Sequence, residues 1–239
     1  MLAVSRGAAA RVICLVLVCS GGSVAQSAPP IRLAALTPAE ASLIPGPFGL
    51  TASHNGAMAE KWRGLQPVIR IETRMLELCR SDPHLCAPAA SRFLAIVDAA
   101  RPLSGRARVG EINRAVNLAI RPVSDVARFN VPDVWTTPLM TFASGAGDCE
   151  DYAIAKYVAL REAGMDAADL RLMIVHDRAL NQDHAVTAAR VDGQWLILDN
   201  RRMLLLTDTD VVNMTPLVAL DSEEAAPVRS VATALEANG

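Results

Sequence analysis

The chain has 239 residues, of which 51% are hydrophobic, and its formal net charge at pH 7 is −2. This length suits one substantial core with room for a small second domain, and the hydrophobic fraction excludes a mostly disordered protein. Because a chain without a basic excess neutralises few phosphates, the charge balance argues against a nucleic-acid-binding function.

The N-terminal residues have the pattern of an export signal. Arg6 and Arg11 are positively charged, residues 12–19 (VICLVLVC) form a short apolar run, and residues 23–25 (SVA) resemble a cleavage site. We therefore predict a signal peptide over residues 1–25 and an exported, periplasmic protein.

Two alternatives to a cleaved signal stay open. An uncleaved anchor is the first, although the apolar run is short for a membrane span. A lipoprotein would use Cys19, but the residue before it, Val18, is bulky where such sites usually have a small side chain. In each case an Ala/Pro-rich arm over residues 26–45 comes next.

Helical periodicity follows the arm. A weak apolar pattern covers residues 58–65, and a second helix is predicted over residues 67–79. Pro88 opens a third helix, and a fourth covers residues 108–120, where an Arg-Pro pair follows and ends the pattern.

The second half of the chain changes to strand patterns. A Gly-rich loop precedes a helix over residues 149–163, which stops at a glycine. The predicted strands cover residues 170–175, 184–191, 195–200 and, more briefly, 204–206. We place the folded domain at residues 46–220 and a flexible tail at residues 221–239.

Three cysteines, Cys79, Cys86 and Cys149, remain once the signal is removed. An oxidising compartment favours pairing, and the Asp-Pro turn between the first two predicts a disulfide. Zinc bound by Cys79, His84 and Cys86 is the alternative, although no fourth ligand has suitable spacing. The disulfide would leave Cys149 as a free thiol, which in an exported protein indicates reactivity.

The hairpin between the second and third strands predicts a side-chain pair. If residues 192–193 (Asp-Gly) occupy the turn, Val186 lies opposite Asp199. His184 then points to the same face as Val186 and is diagonal to Asp199, at a Cβ distance of roughly 7–8 Å. The pattern therefore predicts a His184–Asp199 pair, which a one-residue slip in the turn would break.

Cys149 begins the predicted helix, where the helix dipole favours a thiolate. A nearby His184 can take the thiol proton, and Asp199 can hold the imidazole in the required tautomer. Backbone N–H groups at the helix start would serve as an oxyanion hole. These residues form our predicted catalytic triad, with His176 and His54 as alternative bases that lack a predicted carboxylate partner.

Three carboxylates surround this cysteine: Asp148, Glu150 and Asp151. Their negative charge opposes ionisation of the thiol, so something should neutralise them. Such a cluster suits a hard cation such as calcium, which prefers oxygen ligands. The alternative is that the carboxylates cap the helix and face solvent, and the residues alone leave both interpretations open.

Several segments together resemble the bacterial transglutaminase-like cysteine proteinases. They are residues 146–153 (AGDCEDYA), 183–186 (DHAV) and 195–200 (WLILDN), with 121–125 (RPVSD) and 133–135 (DVW) in support. The resemblance covers roughly residues 67–206. It implies an α+β, papain/transglutaminase-like fold in which N-terminal helices and a Cys-bearing helix pack on an antiparallel sheet.

The resemblance also implies a function. Cys149, His184 and Asp199 match the family triad, and the acidic residues beside the cysteine match a block that binds calcium in some periplasmic members. Such members cleave large surface adhesins, release cells from biofilms, and are held inactive by an inner-membrane cyclic-di-GMP receptor. We therefore expect a periplasmic, calcium-dependent endopeptidase that acts on a protein substrate.

Two other functions stay open at this point. A transglutaminase or amidase would use the same triad, because water or an amine can be the second nucleophile. The other alternative is a non-enzymatic exported binding module, since a lone cysteine at a helix start is more often structural than catalytic.

Overall fold

The computed structural model describes residues 46–221. The predicted signal peptide (1–25), the Ala/Pro-rich arm (26–45) and all but the first residue of the predicted tail (221–239) lie outside the described residues. Within them, helices pack on a five-stranded antiparallel sheet. This is the α+β arrangement that the family resemblance implies.

The helices of the described region follow one another before the main sheet begins. They are α1 (Ala57–Ser81), α2 (Pro88–Ala100), α3 (Gly105–Ala119), α4 (Asp125–Phe129), α5 (Pro138–Ser144) and α6 (Cys149–Glu162). Across residues 46–221, none has both the length and the apolar character that a membrane crossing requires.

The first helix corrects the sequence prediction of two helices separated at Pro67. Pro67 lies inside a continuous α1 and leaves one helical hydrogen bond unmade. Trp62 and Ile69 on either side of it are buried in the same core, so tertiary packing stabilises a continuous helix despite the proline. The short helices α4 and α5 were not predicted, because one or two turns show little periodicity.

Two sheets contain the strands of residues 46–221. They are β1 (Arg121–Pro122), β2 (Ala146–Gly147), β3 (Leu170–Asp177), β4 (Gln182–Val191), β5 (Gln194–Leu198), β6 (Leu206–Thr207) and β7 (Met214–Leu220). β1 and β2 form a small parallel pair, and the main sheet has the order β6-β5-β4-β3-β7. The unpredicted β7 lies at its edge, where Pro216 is tolerated next to a shift in register.

The β4–β5 hairpin has the predicted register. Asp192 and Gly193 have positive φ angles of 51° and 80°, which a two-residue turn of this kind requires. Thr187 pairs with Leu198, so the register places Val186 opposite Asp199 at the end of β5.

Helix α6 lies at the centre of the fold. Every residue from Asp151 to Leu160 is buried, because the helix packs on β4 with one side and against α3 and α5 with others. Thr187 of β4 donates a hydrogen bond of 2.6 Å to the carbonyl of Ala153, and Trp62 of α1 makes an edge contact with Tyr157. This packing fixes the position of the cysteine at the start of α6.

The predicted disulfide between Cys79 and Cys86 is present, and Cys149 is a free thiol. The disulfide joins the end of α1 to the segment that precedes α2. It also removes the zinc alternative, since neither Cys79 nor Cys86 retains a thiolate to bind the metal.

We expect reduction of this disulfide to lower the melting temperature. The bond closes a loop with a sequence separation of 7, for which loop-closure entropy gives a stabilisation of about 2 kcal/mol. Thermal unfolding with and without dithiothreitol measures the change. The matched control is a Cys79→Ala/Cys86→Ala double variant, which should have the lower melting temperature with or without dithiothreitol. A double variant with the melting temperature of the oxidised wild type would contradict the prediction.

Candidate active site

His184 and Asp199 form the hydrogen bond that the hairpin register predicts. The imidazole Nε2 lies 2.9 Å from the carboxylate Oδ1, and the residues are only 1% and 3% exposed. The backbone N–H of Arg201 donates to the same oxygen at 3.0 Å. Burial alone would raise the pKa of Asp199, but the hydrogen bonds from His184 and Arg201 outweigh it and lower the pKa.

Two asparagines of α3 hold the turn that follows β5. The Asn117 side chain donates to the carbonyls of Asp199 and Arg202 at 3.0 Å each, and the fully buried Asn113 donates to the Arg202 carbonyl at 3.0 Å. Residues four apart on a helix share a face, so both amides reach the same turn. Sequence analysis missed this clamp, because the two asparagines are far from the turn along the chain.

Cys149 lies beside β4 at the point where β5 has ended. Pairing between these strands stops at Thr187 and Leu198, so the amide of Ala185 has no β5 partner. That amide instead donates a hydrogen bond to the Cys149 sulfur. The sulfur therefore contacts the residue that directly follows His184.

The other imidazole nitrogen of His184 is unused. Nδ1 is buried and has no hydrogen-bond partner within residues 46–221. With Nε2 bound to Asp199, Nδ1 is the atom available to accept a proton from a thiol. The structure thus brings the predicted Cys149, His184 and Asp199 to one place, and their catalytic roles stay a prediction.

The surroundings of the thiol oppose its ionisation. Cys149 donates a hydrogen bond of 3.1 Å to the Glu150 carboxylate. Burial and then the negative charge of Glu150, with a smaller effect of Asp148, raise the pKa of Cys149 to about 12. These carboxylates therefore oppose the thiolate that sequence analysis expected the helix dipole to favour.

An acidic cluster of Asp125, Asp148 and Glu150 adjoins the cysteine. Each offers a carboxylate oxygen within 4.8 Å of the others. Burial and repulsion from neighbouring carboxylates raise the pKa of all three groups, that of Glu150 to about 8. Such a set of close, buried oxygens is the donor set that a hard divalent cation prefers.

Two buried oxygens of this cluster, Oδ1 of Asp125 and Oδ1 of Asp148, accept no hydrogen bond from the described part of the chain. Arg128 lies 3.7 Å from the Asp125 oxygen and offsets part of its charge. Because buried carboxylate oxygens without a hydrogen bond are costly, the residues fit a hard divalent cation better than they fit helix capping.

The cluster differs from the predicted metal-binding set by one residue. Asp148 and Glu150 belong to it, but Asp151 points into the core and accepts hydrogen bonds from the backbone and side chain of Thr136, at 2.9 and 2.6 Å. It also forms an ion pair with Arg128. Successive helix residues point about 100° apart, so Glu150 and Asp151 face different surroundings, and Asp125 from α4 supplies the third carboxylate.

The alternative bases have other partners. His176 hydrogen-bonds Asp183 across the β3–β4 pair at 2.9 Å, and Nδ1 of His54 lies 3.5 Å from the Asp221 carboxylate. A further buried group, Lys156 of α6, was missed by sequence analysis, although a lone lysine among apolar residues of a buried helix is a visible signal.

Comparison with known proteins gives a family and a fold. The family model described as "Bacterial transglutaminase-like cysteine proteinase BTLCP" matches residues 69–212. Among curated proteins, none matches this chain.

Solved structures of Legionella pneumophila LapG are similar to this chain. One superposes with a TM-score of 0.53 at 23% sequence identity, covering 64% of this chain and 84% of that one. A calcium-bound form gives the same values, and an EGTA-treated form gives a TM-score of 0.52. At this identity the structures show a shared fold.

We expect neutralisation of Glu150 to activate the thiol in the absence of calcium. In EGTA, Glu150→Gln removes the nearest negative charge and should lower the pKa of Cys149, so alkylation by iodoacetamide at pH 9 should rise by at least about tenfold. The gain should shrink at pH 7, because Glu150, with its pKa raised to about 8, is then largely neutral in the wild type.

The matched control for this test is Glu111→Gln. Glu111 pairs with Arg114 on the surface of α3, and its replacement should leave the alkylation rate unchanged. Equal rates for wild type and Glu150→Gln at pH 9 would show that the carboxylate does not restrain the thiol.

Proposed function

Because this chain belongs to the bacterial transglutaminase-like cysteine proteinase family and is a cysteine peptidase, we propose that it is a calcium-dependent endopeptidase that uses Cys149, His184 and Asp199. One observation carries the proposal. His184 forms a buried hydrogen bond with Asp199, and the amide of the next residue, Ala185, contacts the free thiol of Cys149. The arrangement gives a nucleophile, a base and a group that orients the base.

In the proposed reaction, His184 Nδ1 takes the thiol proton and the sulfur attacks the peptide carbonyl carbon. Collapse of the tetrahedral intermediate breaks the C–N bond, and the imidazolium gives its proton to the leaving amine. Water then attacks the Cys149 thioester while His184 accepts its proton. The C–S bond breaks, the carboxylic acid product leaves, and the imidazolium returns its proton to the sulfur. Asp199 holds the imidazole throughout.

Calcium would be held by Asp125, Asp148 and Glu150. When bound, it supplies positive charge next to the sulfur, which offsets the carboxylates and lowers the thiol pKa. A calcium-bound structure of the similar LapG supports this ion over other divalent cations. The buried Oδ1 of Asp148, which accepts no hydrogen bond from residues 46–221, supports a cation independently of that likeness.

We extend the proposal to location and substrate. The export signal pattern supports a periplasmic location, and we propose a large cell-surface adhesin as substrate and an inner-membrane cyclic-di-GMP receptor as inhibitor. Support for these partners is the family resemblance alone.

We expect Cys149→Ala to abolish peptide cleavage. The wild type, with calcium, should cleave a proteome-derived peptide library read by mass spectrometry, and the variant should lose at least about 10³-fold in rate because no nucleophile remains. Asp98→Asn, at a half-exposed carboxylate near Arg80 and Arg101, is the matched control and should cleave normally.

The products of the same experiment separate the functions that use this triad. Chain scission supports the peptidase, whereas cross-linked or amine-modified peptides would support acyl transfer. A wild type that leaves the library unchanged, with Cys149 slow to alkylate in calcium, would favour the non-enzymatic binding module.

We expect Asp125→Asn to weaken calcium binding by at least about tenfold, because it removes one of three carboxylates from the proposed site. Isothermal titration calorimetry of EGTA-treated, dialysed protein measures the affinity. Asp98→Asn serves again as control and should bind like the wild type. Unchanged affinity in Asp125→Asn would exclude Asp125 as a ligand and would favour the set predicted from sequence, Asp148, Glu150 and Asp151.

A further inference from the structure

A groove of about 430 Å³ is lined by residues of α4, α5 and the β1–β2 pair, and we call it the α4–α5 groove. Four of its lining residues are apolar: Val123, Phe129, Met140 and Ala146. Phe129 and Met140 are 42% and 55% exposed, so they present apolar surface to solvent. The volume lies in the range of protein ligand sites, and exposed apolar surface in a concave site marks it for an interaction.

Two arginines line the α4–α5 groove and differ in their partners. Arg128 forms an ion pair with Asp151 and donates a hydrogen bond of 3.2 Å to Ser144 Oγ. Its guanidinium also lies over the Phe129 ring, 4.5 Å from the ring centre. Arg121 is exposed, and its side chain makes no hydrogen bond or ion pair with residues 46–221. Within the described part of the chain, the groove thus combines apolar surface with the uncompensated positive charge of Arg121.

The α4–α5 groove is close to the cysteine. Ala146 lines the groove, and Cys149 is three residues further along the chain. Three residues of extended chain span at most about 11 Å, so the two Cα atoms lie within that distance. Because an extended peptide rises about 3.3 Å per residue, a polypeptide with its scissile bond at the sulfur can reach the groove within about two to four residues.

We propose that the α4–α5 groove is a subsite for an extended segment of the protein substrate. It takes a bulky apolar side chain close to the scissile bond, and Arg121 pairs with an acidic residue beside that side chain. The inference rests on the proposed function and adds a sequence preference to it. Such a segment covers the apolar surface of Phe129 and Met140 and supplies the carboxylate that Arg121 lacks. A basic segment is disfavoured, because the charge of Arg121 repels it.

The first test compares the cleavage preferences of wild type and Arg121→Glu on the proteome-derived peptide library, with calcium. Wild-type cuts should be enriched for a bulky apolar residue next to Asp or Glu, about two to four residues from the cut bond. Arg121→Glu should lower the enrichment of Asp and Glu there by about threefold or more and raise that of Lys and Arg. A wild type without this enrichment, or a variant with the wild-type preference, overturns the inference.

Arg70→Glu is the matched control for the charge reversal. Arg70 is an exposed arginine of α1 that does not line the groove, so its replacement should leave the preference unchanged. An equal change of preference in Arg70→Glu would assign the effect to the net charge of the protein and overturn the role of Arg121.

The second test is Met140→Lys, which puts a charged side chain on the apolar surface of the groove. For a synthetic peptide from the enriched set, KM should rise about fivefold with little change in kcat, because the groove binds substrate and transition state alike. Met75→Lys, at a methionine of α1 that is 47% exposed, is the matched control and should keep the wild-type KM. A fall in kcat at unchanged KM in Met140→Lys contradicts a binding subsite.

A binding measurement needs no catalysis and also shows whether the variants fold. In Cys149→Ala with ¹³C-methyl-labelled methionine, the probe N-acetyl-Glu-Trp-Glu-amide should shift the Met140 methyl signal. It should bind about threefold or more tightly than N-acetyl-Lys-Trp-Lys-amide, and adding Arg121→Glu should reverse the order. A Met140 signal that neither peptide shifts overturns the inference. A wild type that cleaves no peptide, while the acidic probe shifts this signal, would reject the proposed function and keep the groove as a site for an acidic, apolar peptide.

Discussion

A buried sulfur among carboxylates is the constraint on which the active site depends. Cys149 must lose a proton to act as a nucleophile, yet burial and the charge of Glu150 raise its pKa to about 12. A helix N-terminus supplies only about half a positive charge, less than one neighbouring carboxylate carries. The chemistry therefore requires added positive charge, which the proposed calcium ion at the acidic cluster would supply.

Rigid packing fixes the distances between the residues of the site and any added charge. Helix α6 is buried from Asp151 to Leu160 and carries both Cys149 at its start and Lys156 in its second half. Asp199 on the sheet is clamped by Asn117 from α3. A cation bound at the acidic cluster would thus act on the sulfur and the imidazole from a fixed position.

Local patterns predicted the parts of the site that local geometry determines. The Asp-Gly turn fixes the β4–β5 register, so His184 and Asp199 could be paired from sequence alone. The membership of the acidic cluster could not be predicted in the same way. Asp125 joins it in place of Asp151 because α4 packs beside the start of α6, which a local pattern does not reveal. The Asn117 contact and the unbroken α1 across Pro67 likewise arise from residues distant in sequence.

Glu150 and Asp151 are neighbours on α6 but have different surroundings. Glu150 belongs to the acidic cluster, whereas Asp151 makes structural contacts within the protein. Asp151 ties α4 to α6 through Arg128, and it ties the segment after α4 to α6 through Thr136. Asp125, held by its own bond to the Val134 amide, therefore stays near Asp148 whether or not a cation is bound. Calcium would then act on the thiol mainly through charge, with the backbone of the site already in place.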